Sequence, residues 1–208
     1  MKIKICGMRD LENIQGVARC YPDFMGFIFY SKSPRNVDVK SLEKEYYEFP
    51  KAISRVGVFV DESPSVVVAI CKRLGMSYAQ LHGNESPEYC RKIRKEGLSV
   101  IKVFHLDNNF DFSQLQSYQK VSDLFLFDTK TKNFGGSGKH FDWNLLKKYT
   151  LDIPLFLSGG ISSEDIAAIK ALNIHQLIAI DVNSKVEISP GIKDVSKVKE
   201  LILKMREE

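Results

Sequence analysis

Short apolar runs rich in β-branched and aromatic residues recur along the whole chain, and runs of this kind are typical of buried strands. Segments with helical periodicity alternate with them, for example after Ser63, from Ser86 and from Ser162, and the weakest spans 110–118. The order is therefore strand and helix, repeated. The eight apolar runs lie at 2–6, 24–30, 54–60, 78–82, 99–104, 123–128, 153–158 and 176–181.

Eight strand–helix units in 208 residues predict an α/β fold, a (β/α)8 or TIM barrel, in which helices cover a closed parallel sheet. An open, doubly wound sheet is the alternative. No low-complexity linker or Pro/Gly-rich boundary divides the chain. We therefore expect a single catalytic domain over residues 1–208.

Composition narrows the class of protein. Apolar residues make up 44% and charged residues 27%, as in soluble globular proteins, and the net charge of +4 is scattered over predicted helix faces. Neither nucleic acid nor a membrane is indicated as a partner, since there is no basic run and no apolar stretch of about 18 residues. The four cysteines show no metal-ligand spacing, so we expect reduced thiols, no metal and a cytoplasmic location.

Cys6 stands apart from the other cysteines because it ends the first apolar run and is followed at once by Gly7. In barrels of this type the chemistry lies on the loops that leave the carboxyl ends of the strands. Cys20, Cys71 and Cys90 occur in predicted helical segments, where a cysteine is usually a small buried apolar residue. Position alone favours a functional role for Cys6 about as strongly as a packing role.

Asp128 ends the sixth run and opens a long polar loop, 127–143, that contains Gly135, Gly136 and Gly138. Ordinary strand-to-helix connections have about 2–6 residues, so a loop of this length favours function. Asp128 could simply cap the strand or pair with Lys130 or Lys132. A carboxyl at an apolar barrel mouth can instead have a raised pKa and act as a general acid, which we favour.

Paired glycines follow the seventh run, Gly159 and Gly160 in LSGGIS, just before a helix predicted from Ser162. The loops after strands seven and eight often bind phosphate through backbone N–H groups and an adjoining helix start. The polar loop 181–194 after the eighth run supplies the second half of such a site. Arg35 follows the second run and can be either a solvated surface residue or a bidentate ligand for a carboxylate.

These motifs together resemble the phosphoribosylanthranilate isomerase family of tryptophan biosynthesis. The likeness rests on KICGMR, FYSKSPR, GVFVDE, QLHGNE, FDTKTKNFGGSGKHFDW, LSGGI and IDVNSKVE, which cover nearly the whole chain in order. The resemblance implies an Amadori rearrangement of N-(5-phosphoribosyl)anthranilate, without a metal or organic cofactor. It also implies Asp128 as general acid, Cys6 as general base and Arg35 facing the substrate carboxylate. Phosphate would then lie on the backbone around Gly159, Gly160, Asn183 and Ser184.

One position departs from the family pattern, because Lys185 stands where a glycine is usual. Either this backbone is not in a conformation reserved for glycine, or the loop is rearranged. Two other functions compete with the isomerase: a hydrolase with a cysteine nucleophile, for which His82 or His105 would have to activate the thiol, and a phosphate-binding sensor without turnover. We expect a small-molecule substrate as the partner and a monomeric chain.

Overall fold

Eight parallel strands close into a barrel in the computed structural model, which describes residues 1–43, 49–129 and 142–207. The order of strands around the barrel is their order along the chain, and β1 pairs with both β2 and β8. The predicted TIM barrel is confirmed, and the open sheet is wrong. The barrel strands are β1 (Lys2–Ile5), β2 (Phe24–Ile28), β3 (Ser54–Phe59), β4 (Tyr78–Leu81), β5 (Ser99–Leu106), β6 (Leu124–Thr129), β7 (Leu155–Leu157) and β8 (Leu177–Val182).

Helices and short 3₁₀ helices connect these strands, and a small hairpin follows β8. Of the described helices, none is long and apolar enough to cross a bilayer. The α-helices are α1 (Leu11–Ala18), α2 (Val39–Glu43), α3 (Pro64–Arg73), α4 (Pro87–Lys95), α5 (Ile166–Ala171) and α6 (Val195–Arg206). The 3₁₀ helices are Phe112–Tyr118, Trp143–Lys148 and Ser184–Val186, and the hairpin strands are β9 (Glu187–Ser189) and β10 (Ile192–Lys193).

The predicted helices differ from the structure mainly at their starts. The segments after Ser63 and from Ser86 form α3 and α4, and each has a proline in its first turn, where the missing N–H costs no hydrogen bond. The segment from Ser162 begins late, because the carboxylate of Asp165 accepts bonds from the Ser162 backbone N–H and hydroxyl and closes a turn first. The segment 110–118 contains a 3₁₀ helix, Phe112–Tyr118, instead of an α-helix.

Side chains alternate along each strand between the barrel interior and the helical layer. The interior is filled by a compact apolar cluster, in which the Phe24 and Phe156 rings lie 5.1 Å apart between centroids. A larger cluster packs the outer strand faces against the helices and includes Cys71 and Cys90. These two thiols are therefore core residues as expected, whereas Cys20 lies just after α1 instead of within it.

Candidate active site

An open cavity of about 510 Å³ lies at the carboxyl ends of the barrel strands, a size suited to a small-molecule ligand. Its walls bring together residues at the carboxyl ends of β1, β2, β3, β4, β6, β7 and β8, or in the loops that follow these strands. All the sequence-predicted site residues line it: Cys6, Arg35, Asp128, Gly159, Gly160, Asn183 and Ser184. The loop glycines Gly135, Gly136 and Gly138, with Lys130 and Lys132, lie outside the described residues.

Cys6 is buried at the top of β1, where its backbone N–H donates to the Val182 carbonyl at 2.9 Å. Its thiol has a hydrogen-bond partner in Lys4, two residues earlier and therefore on the same strand face. Burial raises the pKa of Cys6 above the ordinary cysteine value, and the nearby Lys4 ammonium offsets only part of this effect. The thiol is therefore mainly neutral at pH 7.

Lys4 is fully buried and forms an ion pair with Asp181, with 2.9 Å between Nζ and Oδ1. Although burial lowers the pKa of Lys4, the charges of Asp181 and Cys6 raise it above its usual value, so that the ammonium persists. Gly26 on β2 leaves room for the Cys6 and Lys4 side chains, since a Cβ there would stand 2.8 Å from the Cys6 sulfur and 3.0 Å from the Lys4 Nζ. A fixed cation therefore lies beside the thiol.

Asp128 lies half-buried at the end of β6, with its Oδ2 atom 3.6 Å from Nε2 of His82. Its Oδ1 accepts a bond of 2.8 Å from the Thr129 backbone N–H. Burial raises the pKa of Asp128, but the hydrogen bond and charge of His82 and the charge of His105 outweigh burial and lower it below the ordinary value. The raised pKa that the sequence predicted for Asp128 is therefore wrong, because His82 and His105 face the carboxylate.

Arg35 does not point freely into solvent, because Glu187 holds it. The Nε and Nη2 atoms of Arg35 donate to the Glu187 carboxylate at 2.9 Å and 2.7 Å. Lys193, a buried residue of β10, also contacts Glu187 at 2.7 Å and donates to the Asn183 side chain at 2.7 Å. Although burial raises the pKa of Glu187, the bonds from Arg35 and Lys193 lower it, so this carboxylate is ionised and links the second loop to the eighth.

Gly7 allows these loops to meet. Its φ is +75°, and a Cβ there would stand 2.8 Å from both the Arg35 Cδ and the Asn183 Oδ1. A larger residue would therefore be strained and would displace both neighbours. This is the physical reason for the Cys6–Gly7 pair in the sequence.

The glycines after β7 also need their conformations. Gly159 and Gly160 have φ values of +105° and +75°, and a Cβ on Gly159 would collide with the Thr129 hydroxyl. Lys185, by contrast, lies in the 3₁₀ helix Ser184–Val186, and its φ is not positive. The backbone at Lys185 is therefore not in a conformation reserved for glycine, and the loop accommodates the lysine. Lys185 lines the cavity beside Ser184.

Sequence reasoning missed Lys4, Glu187 and Lys193. Lys4 offered a signal, since a charged residue inside an apolar strand and two positions from Cys6 must share its face. Glu187 and Lys193 gave no comparable signal, because their pairing depends on a hairpin after β8. The hydrolase alternative also loses its geometric basis, since the thiol bonds to Lys4, whereas His82 faces Asp128.

Comparison with known proteins agrees with this arrangement. The family model described as N-(5'-phosphoribosyl)anthranilate (PRA) isomerase matches residues 3–204. The chain belongs to this PRA isomerase family. A relative from Parabacteroides distasonis named N-(5'-phosphoribosyl)anthranilate isomerase is 41% identical over 203 residues, which are 97% of this chain and 92% of that protein.

Two solved structures of the PRA isomerase family extend the likeness to the whole fold. The crystal structure of the Thermotoga maritima protein has a TM-score of 0.89 and 36% identity, covering 99% of this chain and 98% of that chain. A second has a TM-score of 0.84 and 32% identity, with coverage of 99% and 98%. That second protein was crystallised with reduced 1-(o-carboxyphenylamino)-1-deoxyribulose 5-phosphate.

Proposed function

We propose that the chain isomerises N-(5-phosphoribosyl)anthranilate to 1-(2-carboxyphenylamino)-1-deoxyribulose 5-phosphate, with Asp128 as general acid and Cys6 as general base. Membership of the PRA isomerase family makes the protein an isomerase of tryptophan biosynthesis. The observation that carries the residue roles is that Cys6 and Asp128 line one cavity together with Arg35 and the glycine loop after β7. The sensor alternative gives no reason for an acid and a base in the same cavity.

The reaction needs two proton transfers, and the two residues divide them. Asp128 donates a proton to the furanose ring oxygen as the bond from that oxygen to C1′ breaks, while the anthranilate nitrogen lone pair forms the Schiff base. Cys6 then removes the C2′ proton, and the electron pair of the broken C2′–H bond forms the C1′=C2′ bond of the enolamine. The enolamine takes a proton at C1′ and loses one from the C2′ hydroxyl, which gives the ketone. No step requires a metal or an organic cofactor.

The reactive ionisation state is therefore a protonated Asp128 with a Cys6 thiolate, the reverse of the state that the two pKa shifts favour. The two states contain the same number of protons and differ by a transfer from the thiol to the carboxylate. The reactive fraction is small, but it does not change with pH while the pair holds one proton. A thiolate of high pKa is also a stronger base, which offsets part of its low population.

The acid–base pair itself should give no pH dependence near neutrality. We expect kcat/KM to show no limb from Cys6 or Asp128 between about pH 5 and pH 8, because the pKa of Asp128 lies below its ordinary value and that of Cys6 above its own. At lower pH both groups are protonated and the base is lost; at higher pH both are ionised and the acid is lost. Initial rates across this range, corrected for the substrate phosphate ionisation near pH 6, test the prediction. An enzyme limb near neutral pH that disappears in Cys6→Ser would contradict it.

Two anchors hold the substrate on either side of the reacting carbons. Since Glu187 engages Nε and Nη2 of Arg35, the remaining Nη1 donors would meet the anthranilate carboxylate. The substrate phosphate would lie on the backbone at Gly159, Gly160, Asn183 and Ser184. Lys185 adds a positive charge at the same wall of the cavity.

Arg35→Lys should raise KM roughly 10- to 100-fold with kcat nearly unchanged, since lysine keeps the charge but loses the planar fork and its charge-assisted hydrogen bonds. Steady-state kinetics of the isomerase reaction measure both constants. The matched control is Arg94→Lys, whose side chain lies outside the cavity and pairs with Asp123. A fall in kcat with unchanged KM would assign Arg35 to the chemical step instead.

The assay for the proposed activity is the loss of anthranilate fluorescence from freshly generated phosphoribosylanthranilate, with the product separated by chromatography. Decay that scales with the concentration of the protein and yields the ketose phosphate supports the isomerase. Saturable binding of the reduced product analogue without turnover would instead support the sensor.

We also propose that the chain is a monomer, since the proposed acid, base and anchoring residues line one cavity at the end of a single barrel. Light scattering of the purified protein tests this. A mass of one chain is expected, and a stable dimer would contradict it.

A further inference from the structure

Three side chains of types that can bind metals converge beside the cavity, and two of them, His82 and Asp128, line it. One potential ligand atom from each of His82, His105 and Asp128 lies within 4.8 Å of the other two. We propose that they form a binding site for a first-row divalent cation such as Zn²⁺, and that occupancy of this site inhibits the enzyme. The binding part of the proposal is independent of the proposed function, and the inhibition part rests on it.

The barrel topology brings these side chains together. His82 directly follows β4, while His105 lies on β5 and is in register with Asp128 on β6. Each comes two residues after a barrel-facing or cavity-lining position on its own strand, so all three point to the same side of the sheet. The imidazole rings of His82 and His105 are 5.1 Å apart between centroids. The cluster is therefore held by β5, by β6 and by the residue that directly follows β4.

The donor set and its spacing suit a transition metal. Two imidazole nitrogens and one carboxylate oxygen are a common protein ligand set for zinc, and they leave one or more positions open for water. Tetrahedral zinc with ligands near 2.0–2.2 Å separates neighbouring ligand atoms by roughly 3.3–3.5 Å. The His82 Nε2 and Asp128 Oδ2 atoms are already 3.6 Å apart, so a rotation of the His105 side chain would complete the set.

The residue beneath His82 is placed to orient it as a ligand. Gln80 is buried, and its amide nitrogen lies 3.1 Å from Nδ1 of His82. The amide oxygen of Gln80 has no hydrogen-bond partner within the part of the chain that the structure describes. A half-turn of this amide would let the oxygen accept from Nδ1–H, which leaves the Nε2 lone pair directed at the metal position, as in many zinc sites.

Nearby cations do not oppose a bound ion strongly. Lys102 is the lysine whose charge reaches His105, and its ammonium is paired with the buried Glu85 carboxylate at 2.8 Å. A bound ion would occupy the Asp128 carboxylate. In the proposed mechanism this removes the general acid, so metal binding and turnover exclude each other.

Co²⁺ is the probe for binding, because its visible absorption reports the ligands. We expect the untagged, metal-free protein to bind one equivalent of Co²⁺, and His105→Gln to weaken binding at least about tenfold. The matched control is His175→Gln, which replaces an exposed histidine between α5 and the start of β8 and should bind as the unmodified chain does. Circular dichroism establishes that each variant folds, and His82→Gln replaces His105→Gln if the latter does not.

Two results would overturn the binding proposal. One is an affinity for Co²⁺ that His105→Gln leaves unchanged. The other is a thiolate-to-cobalt charge-transfer band that disappears in Cys6→Ser, which would place the ion on Cys6.

Inhibition is measured separately, with Zn²⁺ added to the isomerase assay and each rate expressed relative to the same protein without metal. We expect half-inhibition near the Zn²⁺ dissociation constant for the unmodified chain, and at an at least about tenfold higher concentration for His105→Gln. Full turnover with Zn²⁺ bound would overturn the inhibitory role. Absence of turnover in the metal-free protein would instead overturn the proposed function, while the Co²⁺ result would stand.

Discussion

Cys6→Ser should lower kcat/KM by about 10²- to 10⁴-fold, the usual contribution of a positioned general base. Serine is close to cysteine in size and fits the same buried position, but its hydroxyl ionises far less readily than a thiol. The Lys4 ammonium beside it cannot compensate for this difference. Steady-state kinetics with freshly generated substrate measure the loss, and thermal unfolding shows whether the barrel is intact.

Cys20→Ser is the matched control for this change. Cys20 is partly exposed just after α1 and does not line the cavity, so its replacement should leave kcat/KM unchanged. If Cys6→Ser turned over substrate as fast as Cys20→Ser, Cys6 would not be the base.

Asp128→Asn should also lower kcat/KM by about 10²- to 10⁴-fold, because an amide cannot deliver a proton to the ring oxygen. The change keeps the shape of the side chain and the bond from the Thr129 N–H, so the end of β6 should keep its structure. Affinity for the reduced product analogue should persist, since Arg35 and the glycine loop are untouched. The kinetic loss should therefore appear in kcat.

Asp111→Asn serves as the control for Asp128→Asn. Asp111 caps the 3₁₀ helix Phe112–Tyr118 on the surface, and asparagine caps a helix equally well. Normal turnover is expected for this variant. Normal turnover in Asp128→Asn would show that Asp128 is not the general acid.

The barrel was predictable from the sequence because strand position depends on local apolar runs. Each of the eight runs overlaps a strand, and the deviations are at the ends: β7 is only Leu155–Leu157, while β5 continues to Leu106. The start of α5 was not predictable from periodicity, because the Asp165 side chain closes a turn that precedes the helix.

The site residues could be predicted to meet because the carboxyl ends of parallel strands share one end of the barrel. Their ionisation could not. The pKa of Asp128 depends on His82 and His105, which lie on other strands, and that of Cys6 depends on how deeply the barrel buries it. Likewise, the pairing of Arg35 with Glu187 joins residues 152 positions apart.

The central claim, that Cys6 and Asp128 perform the chemistry and do not merely bind substrate, is tested by one comparison. Turnover of phosphoribosylanthranilate and the dissociation constant of the reduced product analogue are measured side by side for the unmodified chain, Cys6→Ser and Asp128→Asn. The account predicts rapid turnover by the unmodified chain, near-background turnover by both variants, and similar dissociation constants for all three. Variants that turn over normally, or that lose turnover only in proportion to lost binding, would contradict it.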